Sequence, residues 1–449
     1  MVRRSMGGLG NACSQQKGTG LAFLFMLFAL ILILLAGCEQ PQLLPAETPV
    51  DVVEVAQTDV ETPPADGIGA PADTHGRELV LWTPEFMNAD PNTSSGAILA
   101  DAYERFKVDH PDTRIEVQIK AESGRANLSD YVRSAQRVAP QVLPQIILID
   151  TQQLWRLVDL GLVPPLNQSD VTEFNTLYPF TLDAVQYQNQ IYGIPFVADV
   201  MHAAYYAADF EERAPEDWGQ VQAAAKPYFF PASARNGLSS DSVLMQYVGA
   251  GGELRADGVL TNPEALVTVF NFWAAGIESG MILPSALEYS TLGAVWDSFV
   301  SAGTGLAEVS ANQFLSKQGS LGEIRFGSIP TRSGAPVTLG RVWAFVVLTS
   351  EPEERQLALE LIRQLMAPSV HGGWSESVQR LPTQAAALAE WKNNAPYVDF
   401  LRRMLDVSIS TPNGAAFREL SIQMQTASEA VLRQELAPPA AVQTIQSSR

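Results

Sequence analysis

The chain has 449 residues, of which 46% are hydrophobic and 17% charged, enough for more than one ordinary globular core and incompatible with disorder along its whole length. Its 49 carboxylates against 29 basic side chains give a formal net charge of -20, so phosphate backbones and anionic headgroups repel it and no nucleic-acid partner is expected. Both cysteines, Cys13 and Cys38, lie near the N-terminus, which leaves a folded domain no disulfide and no cysteine-based zinc site. The four histidines, His75, His110, His202 and His371, are scattered, and neither a metal site nor a cofactor is expected.

Arg3, Arg4 and Lys17 precede an unbroken apolar run over residues 21–36, the layout of an export signal. The run is short for a spanning helix. Leu35-Ala36-Gly37-Cys38 resembles a bacterial lipobox, in which small residues admit a signal peptidase to the peptide bond before a cysteine that takes a diacylglycerol. Residues 1–37 are therefore expected to be a lipoprotein signal peptide and Cys38 the lipidated residue. An uncleaved signal anchor is the alternative, and both place the remainder on the outer face of the cell membrane. Residues 38–76 read as a tether: positions 39–74 hold six prolines and eight carboxylates with no Lys or Arg, and so bury too little apolar surface to offset their ordering entropy.

Residues 78–82 (ELVLW) predict a first strand, and Ser94 or Ser95 caps a helix that places Leu99, Ala102, Tyr103 and Phe106 on one face before Pro111. Residues 114–120 alternate as a strand. A second helix carries Leu128, Val132, Ala135 and Val138, and residues 145–150 (QIILID) form a third strand whose continuous apolar character suits burial on both faces. A helix over 152–160 then closes at Gly161. Strand and helix thus alternate three times, which calls for a parallel sheet covered on both sides. In such a sheet ligands bind beyond the carboxyl ends of the strands, so Trp82 and Asp150 become site candidates, against the alternatives that Trp82 is core and Asp150 a helix cap.

A second α/β text begins after residue 190. Gly249, Ala250, Gly251 and Gly252 follow a helix instead of joining a strand to one, which makes them a helix stop and not a phosphate loop. Pro263 starts a helix with Ala265, Val269, Phe272 and Trp273 inward; residues 306–309 and 326–329 predict short strands, and 342–348 (VWAFVVL) a strongly apolar one. Leu357, Leu361, Ile362 and Leu365 continue as a helix face, and the tail over 415–436 is helical again.

These landmarks stand in an order that resembles the extracellular solute-binding proteins of ABC importers, of the sugar-binding type related to maltose-binding protein. The resemblance rests on AYERFKVDHPDTRIEVQ, QIILID, DLGLVPPLNQ, IYGIPFVADVMHAAYYAADF with Pro215, Asp217 and Trp218, Gly251-Gly252 with Asp257-Gly258, FVSAGTGLAEVSANQF, LGRVWAFVV, and Trp374 with Leu381-Pro382. It implies an α/β clamshell of two lobes joined by a hinge that the chain crosses several times, near 195–201, near 329–332 and after a helix ending about Met366. The lobes would be 77–198 with 330–370, and 199–329 with 371–449. It further implies a monomer that captures a small solute in the interlobe cleft, without catalysis, and delivers it to the permease subunits. The matching positions are Trp82, Glu85, Asp150, Gln152, Asp199, Asn312, Phe314, Trp343 and Trp374, with Phe417 secondary. Two departures weaken the sugar assignment: Ala207-Ala208 replaces the usual Asn-Lys before Asp209, and Gln313-Phe314 replaces Gly-Trp. A glycoside hydrolase would need two carboxylates about 5 to 10 Å apart across the scissile bond, and Glu85, Asp150 and Asp199 are the available set. No HExxH, GxSxG or phosphate-loop lysine accompanies them. A ligand sensor built on the same clamshell is the third reading.

Overall fold

The computed structural model describes residues 77–172, 177–233 and 241–447. The leader, Cys38 and the acidic segment lie outside them. Strand β1 (Arg77–Thr83) runs parallel to β2 (Thr113–Ile119) on one side and to β3 (Ile146–Asp150) on the other, as the alternation predicts. Helix Ser94–Asp109 covers them with Leu99, Ala102, Tyr103 and Phe106. Its cap is Thr93, not Ser94 or Ser95: the Thr93 hydroxyl accepts from the Gly96 amide at 3.0 Å. The backbone of Asp90 fixes this entry, because a Cβ on Gly96 would stand 2.1 Å from the Asp90 carbonyl oxygen. Helix Leu128–Val138 buries Leu128 and Val132, whereas Val138 on its last turn is exposed.

Beyond β3 the sheet is mixed. β10 (Thr338–Val347) is inserted antiparallel between β3 and β6 (Ile194–Tyr206), with a small hairpin, β4 (Gln186–Tyr187) and β5 (Gln190–Ile191), preceding β6. β6 is 13 residues long and changes partners along its length. Residues 194–200 pair with β10, and 201–206 pair with β8 (Leu306–Ser310) and β9 (Ile324–Gly327). β7 (Tyr228–Phe229) lies parallel to β8 at the far edge. At the other end of β10, Thr338 and Leu339 pair with β12 (Ser408–Ile409), while β11 (Leu381–Pro382) pairs with β6 at Ala198 and Val197.

Two packed regions result. The first gathers β1, β3 and the upper parts of β6 and β10 with helices Ser94–Asp109, Thr151–Asp159 and Pro352–Leu365. The second surrounds the lower half of β6: helices Pro263–Ser279, Ala415–Leu432 and Pro438–Ser447 contribute one buried cluster, and Leu292–Ala302 with Ala395–Asp406 another. His202 ties β6 to the last of these helices. Its Nδ1–H donates to the Ala203 carbonyl at 2.9 Å, which leaves Nε2 to accept from the Tyr397 hydroxyl at 2.7 Å.

Helix Pro368–Ser377 follows the return crossing expected after about Met366. It packs in the first core through Val370 and Trp374, whereas Leu381 of β11 belongs to a buried cluster of the second region. Helix Asp241–Gly249 ends at the glycine cluster, as expected of a stop, with Gly251 at φ +96°. The C-terminal segment is two helices, Ala415–Leu432 and Pro438–Ser447, separated at Gln434 with φ +60°.

Candidate functional site

β3, β10 and β6 place four candidate side chains in register where the strands leave the first core. Trp343 lies opposite Asp150 on β3, and Arg341 lies opposite Asp199 on β6. Cross-strand partners share a sheet face, and residues two apart on one strand share it too, so the four belong to one row. β11 pairs with the other edge of β6, which brings Arg380, the residue before Leu381, alongside Asp199. One carboxylate therefore stands between two guanidinium groups.

Arg341 spans to the second core. Its Nε and Nη2 donate to Asp241 Oδ2 at 3.1 and 2.8 Å, at the start of helix Asp241–Gly249. Asp241, then Asp150 and Asp199, hold the guanidinium pKa above its ordinary value, although half of the side chain still meets solvent. Asp150, Thr151, Gln152, Asp241, Leu339, Gly340, Arg341 and Thr411 line the recess around this pair. Gly340 permits the close passage of β10 there: a Cβ would stand 2.2 Å from the Phe180 ring.

Burial raises the pKa of Asp150, with Arg341 and the amides of Gln152 and Gln153 acting in the opposite direction. Its Oδ1 accepts from the Gln152 amide at 2.7 Å and so caps helix Thr151–Asp159, which is the alternative role the sequence left open. Capping and cleft position coincide because the helix begins directly where β3 ends. Burial also raises Asp199, whose Oδ1 accepts from the Asn312 amide at 3.1 Å. Asn312 follows Ser310, the cap of helix Ala311–Ser316, and its Oδ1 is buried without a hydrogen-bond partner.

The other expected residues separate from this row. Glu85 is exposed on the turn Glu85–Met87, and Gln152 is exposed at the rim. Trp82 is 5% exposed, packed edge-on against Tyr131 and covered by Lys120, 4.8 Å from its ring centre. Phe314 is 1% exposed and enclosed by His202, Trp296, Phe326 and Tyr397, so neither of its faces is available for stacking. Trp374 is fully buried against Phe196 in the first core, and Phe417 is buried in the second. These three aromatic side chains serve packing because they lie on the inward faces of their helices. Trp343 and Phe86 remain partly exposed.

Sequence reasoning missed Arg341, Arg380, Asp241, Phe86 and Glu122. Arg341 was within sight, inside LGRVWAFVV and two residues before Trp343; Arg380 directly precedes Leu381-Pro382. Asp241 and Glu122 carry no local signal. Among the described residues no group of three His, Cys, Asp or Glu is disposed to hold a metal, and no helix is long and apolar enough to cross a membrane.

The profile of the bacterial extracellular solute-binding proteins matches residues 101–397. The chain belongs to this family. Solute-binding proteins of this family work outside the cytoplasm, and neither family nor fold is that of an enzyme. Among solved structures, the solute-binding chain is similar to the GacH receptor of Streptomyces glaucescens, at 15% identity and a TM-score of 0.63, covering 83% of this chain and 97% of that one. Maltose-bound MalE3 of T. maritima aligns at 17% identity and 0.64, covering 83% and 98%. The sugar-binding protein MalE from Xanthomonas citri aligns at 14% and 0.67, covering 83% and 96%. At these identities the likeness establishes the clamshell fold, two α/β lobes joined by crossing strands. A curated relative, the lactose-binding protein of Rhizobium radiobacter, is 26% identical over 144 residues. That match takes in 31% of this chain and about a third, 32%, of the relative's length.

Proposed function

We propose that this solute-binding protein is the lipid-anchored capture subunit of an ABC importer, a monomer that closes on a mono- or oligosaccharide between its two cores and delivers it unaltered to the permease subunits. The observation that carries the reading is the row Asp150, Trp343, Arg341 and Asp199 at the place where β6 and β10 pass from one core to the other. An indole face covers the apolar face of a sugar ring, while carboxylates and guanidinium groups engage hydroxyls at fixed angles. Two lobes joined by strands can close as rigid bodies, and closure gives the permease a shape that reports occupancy. The relatives support a sugar: the receptor from S. glaucescens was crystallised with acarbose, and the T. maritima protein with maltose. We assign solute contact to Asp150, Gln152, Asp199, Asn312 and Trp343, with Glu85 at the rim.

A thermal-shift screen of purified residues 77–449 against sugars, polyols, amino acids and oligopeptides tests this reading. One sugar is expected to raise Tm, to bind with 1:1 stoichiometry and to be recovered intact; a peptide hit in its place would overturn the carbohydrate assignment, and chemical turnover the receptor assignment. Trp343→Ala and Asp150→Asn are each expected to raise Kd for that sugar about tenfold or more, equivalent to about 1.4 kcal/mol, by titration calorimetry. Cys38→Ala is expected to abolish lipid labelling of the full chain in cells. Labelling that persists in the variant would discard the lipid anchor.

A further inference from the structure

The guanidinium of Arg380 makes no hydrogen bond to any described residue, although it is mostly buried. Its Cζ lies over Phe86, 4.0 Å from the ring centre, and 5.3 Å from the centre of the Trp343 ring. The nearest carboxylate oxygen, on Glu122, is 3.7 Å from Nη2, beyond hydrogen-bond reach, and the side chain is only 22% exposed. Among the described residues no side chain or carbonyl accepts from it. Arg341 by contrast gives Nε and Nη2 to Asp241 and is half exposed. Phe86 is itself backed by Trp374 at 6.2 Å, so the platform beneath Arg380 is anchored in the first core. Contact with two aromatic rings restrains the guanidinium and so limits the directions its N–H fork can take.

The charges nearby decide what that fork accepts. Asp199, flanked by Arg341 and Arg380, and Glu122 both face Arg380 electrostatically, and Asp150 and Asp241 surround Arg341. Four carboxyl groups face two guanidinium groups, so an anionic guest meets more acidic than basic side chains, whereas a neutral hydroxyl can accept from Arg380. Resting on the saccharide reading above, we infer that Arg380 is a specificity-determining residue that donates to a pair of adjacent hydroxyl oxygens of a neutral saccharide, and that acidic sugars are rejected. A site built to hydrogen-bond a hydroxyl discriminates strongly against the analogue that lacks it, because a buried donor is then stranded.

The experiment measures Kd by calorimetry for maltose, lactose, mannobiose and glucuronate on the wild-type chain, on Arg380→Met and on Arg380→Lys, with Tm of each protein recorded. For whichever neutral sugar binds best, Arg380→Met is expected to raise Kd at least tenfold, and Arg380→Lys, which keeps the charge but loses the planar fork, to fall between. Monodeoxy derivatives of that sugar supply the readout that packing alone would not move: a deoxy position that weakens binding to the wild type is expected to have little further effect on Arg380→Met. If Arg380→Met fails to fold, the same comparison is made on Arg380→Lys. Unchanged Kd in the variants, or an undiminished deoxy penalty, overturns the role of Arg380 while the saccharide reading stands. Tighter binding of glucuronate than of every neutral sugar overturns the selectivity for neutral guests. Absence of any sugar binding by the wild-type chain overturns the saccharide reading and this inference together.

Discussion

Trp374→Ala is expected to lower the unfolding free energy by about 4 kcal/mol, measured by urea denaturation, because deleting a fully buried indole removes its transfer free energy and leaves a cavity that a packed core closes only in part. The surroundings of Trp374 support the upper part of that range. Phe196 stacks on it at 4.8 Å and Phe86 leans on it at 6.2 Å, while Gly372 in the same helix sits against the backbone of Ala387, where a Cβ would come within 2.4 Å of the carbonyl oxygen. The helix is thus held close and has little freedom to collapse into the void. Trp374→Phe is expected to recover part of the loss. The outcome separates the packing role from the cleft role that the resemblance implied: weaker solute binding at unchanged unfolding free energy would place Trp374 in the cleft after all.

The pH dependence of stability is expected to carry a contribution from Glu308 that Glu308→Gln removes. Glu308 is 1% exposed on β8. Its carboxylate accepts from the Tyr228 hydroxyl at 2.5 Å and from the Ser242 hydroxyl. Gln246 completes the network by donating to the Tyr228 hydroxyl at 3.2 Å and to the Pro330 carbonyl at 3.1 Å, and by accepting from the Trp218 indole at 3.0 Å. Burial pushes the carboxyl up to about 7, from 4.5, against the pull of these donors. Between those two values the folded chain keeps a proton that the unfolded chain has released. Stability therefore falls as pH rises through this window, and above it the loss is complete.

The size of the effect is about 2 to 3 kcal/mol between pH 5 and pH 8. Two buried histidines act in the opposite sense. Burial lowers His202 to about 4 and His371 to about 3, so the unfolded chain takes up protons below pH 6.5 that the folded chain refuses, and their contribution is lost on acidification. The double difference isolates Glu308: unfolding free energies of wild type and Glu308→Gln are compared at pH 5 and pH 8, and the histidine contributions cancel. The wild-type value should drop more between the two conditions than the variant value, by the stated amount. Equal drops would mean that Glu308 does not titrate in this window.

The sequence determined what short-range order can determine. Alternation and helical spacing placed β1, β2 and β3 and the helices that cover them, since each needs only to bury one face of its own segment. The apolar run around Trp343 announced β10, and the order of weak landmarks pointed to the family whose profile matches the chain. Tertiary structure decided the rest. Whether Trp82, Phe314 and Trp374 face a cleft or a core depends on what packs against them, and a residue's own neighbours in the chain do not record that. The extent of the first region was likewise settled by packing, because helix Pro368–Ser377 lies in the first core through contacts made by Val370 and Trp374. The charged row of Asp150, Arg341, Asp199 and Arg380 unites residues spread over more than two hundred positions, brought together by the register of β3, β10, β6 and β11. Register is a property of strand pairs, and so no single stretch of this chain spelled it out.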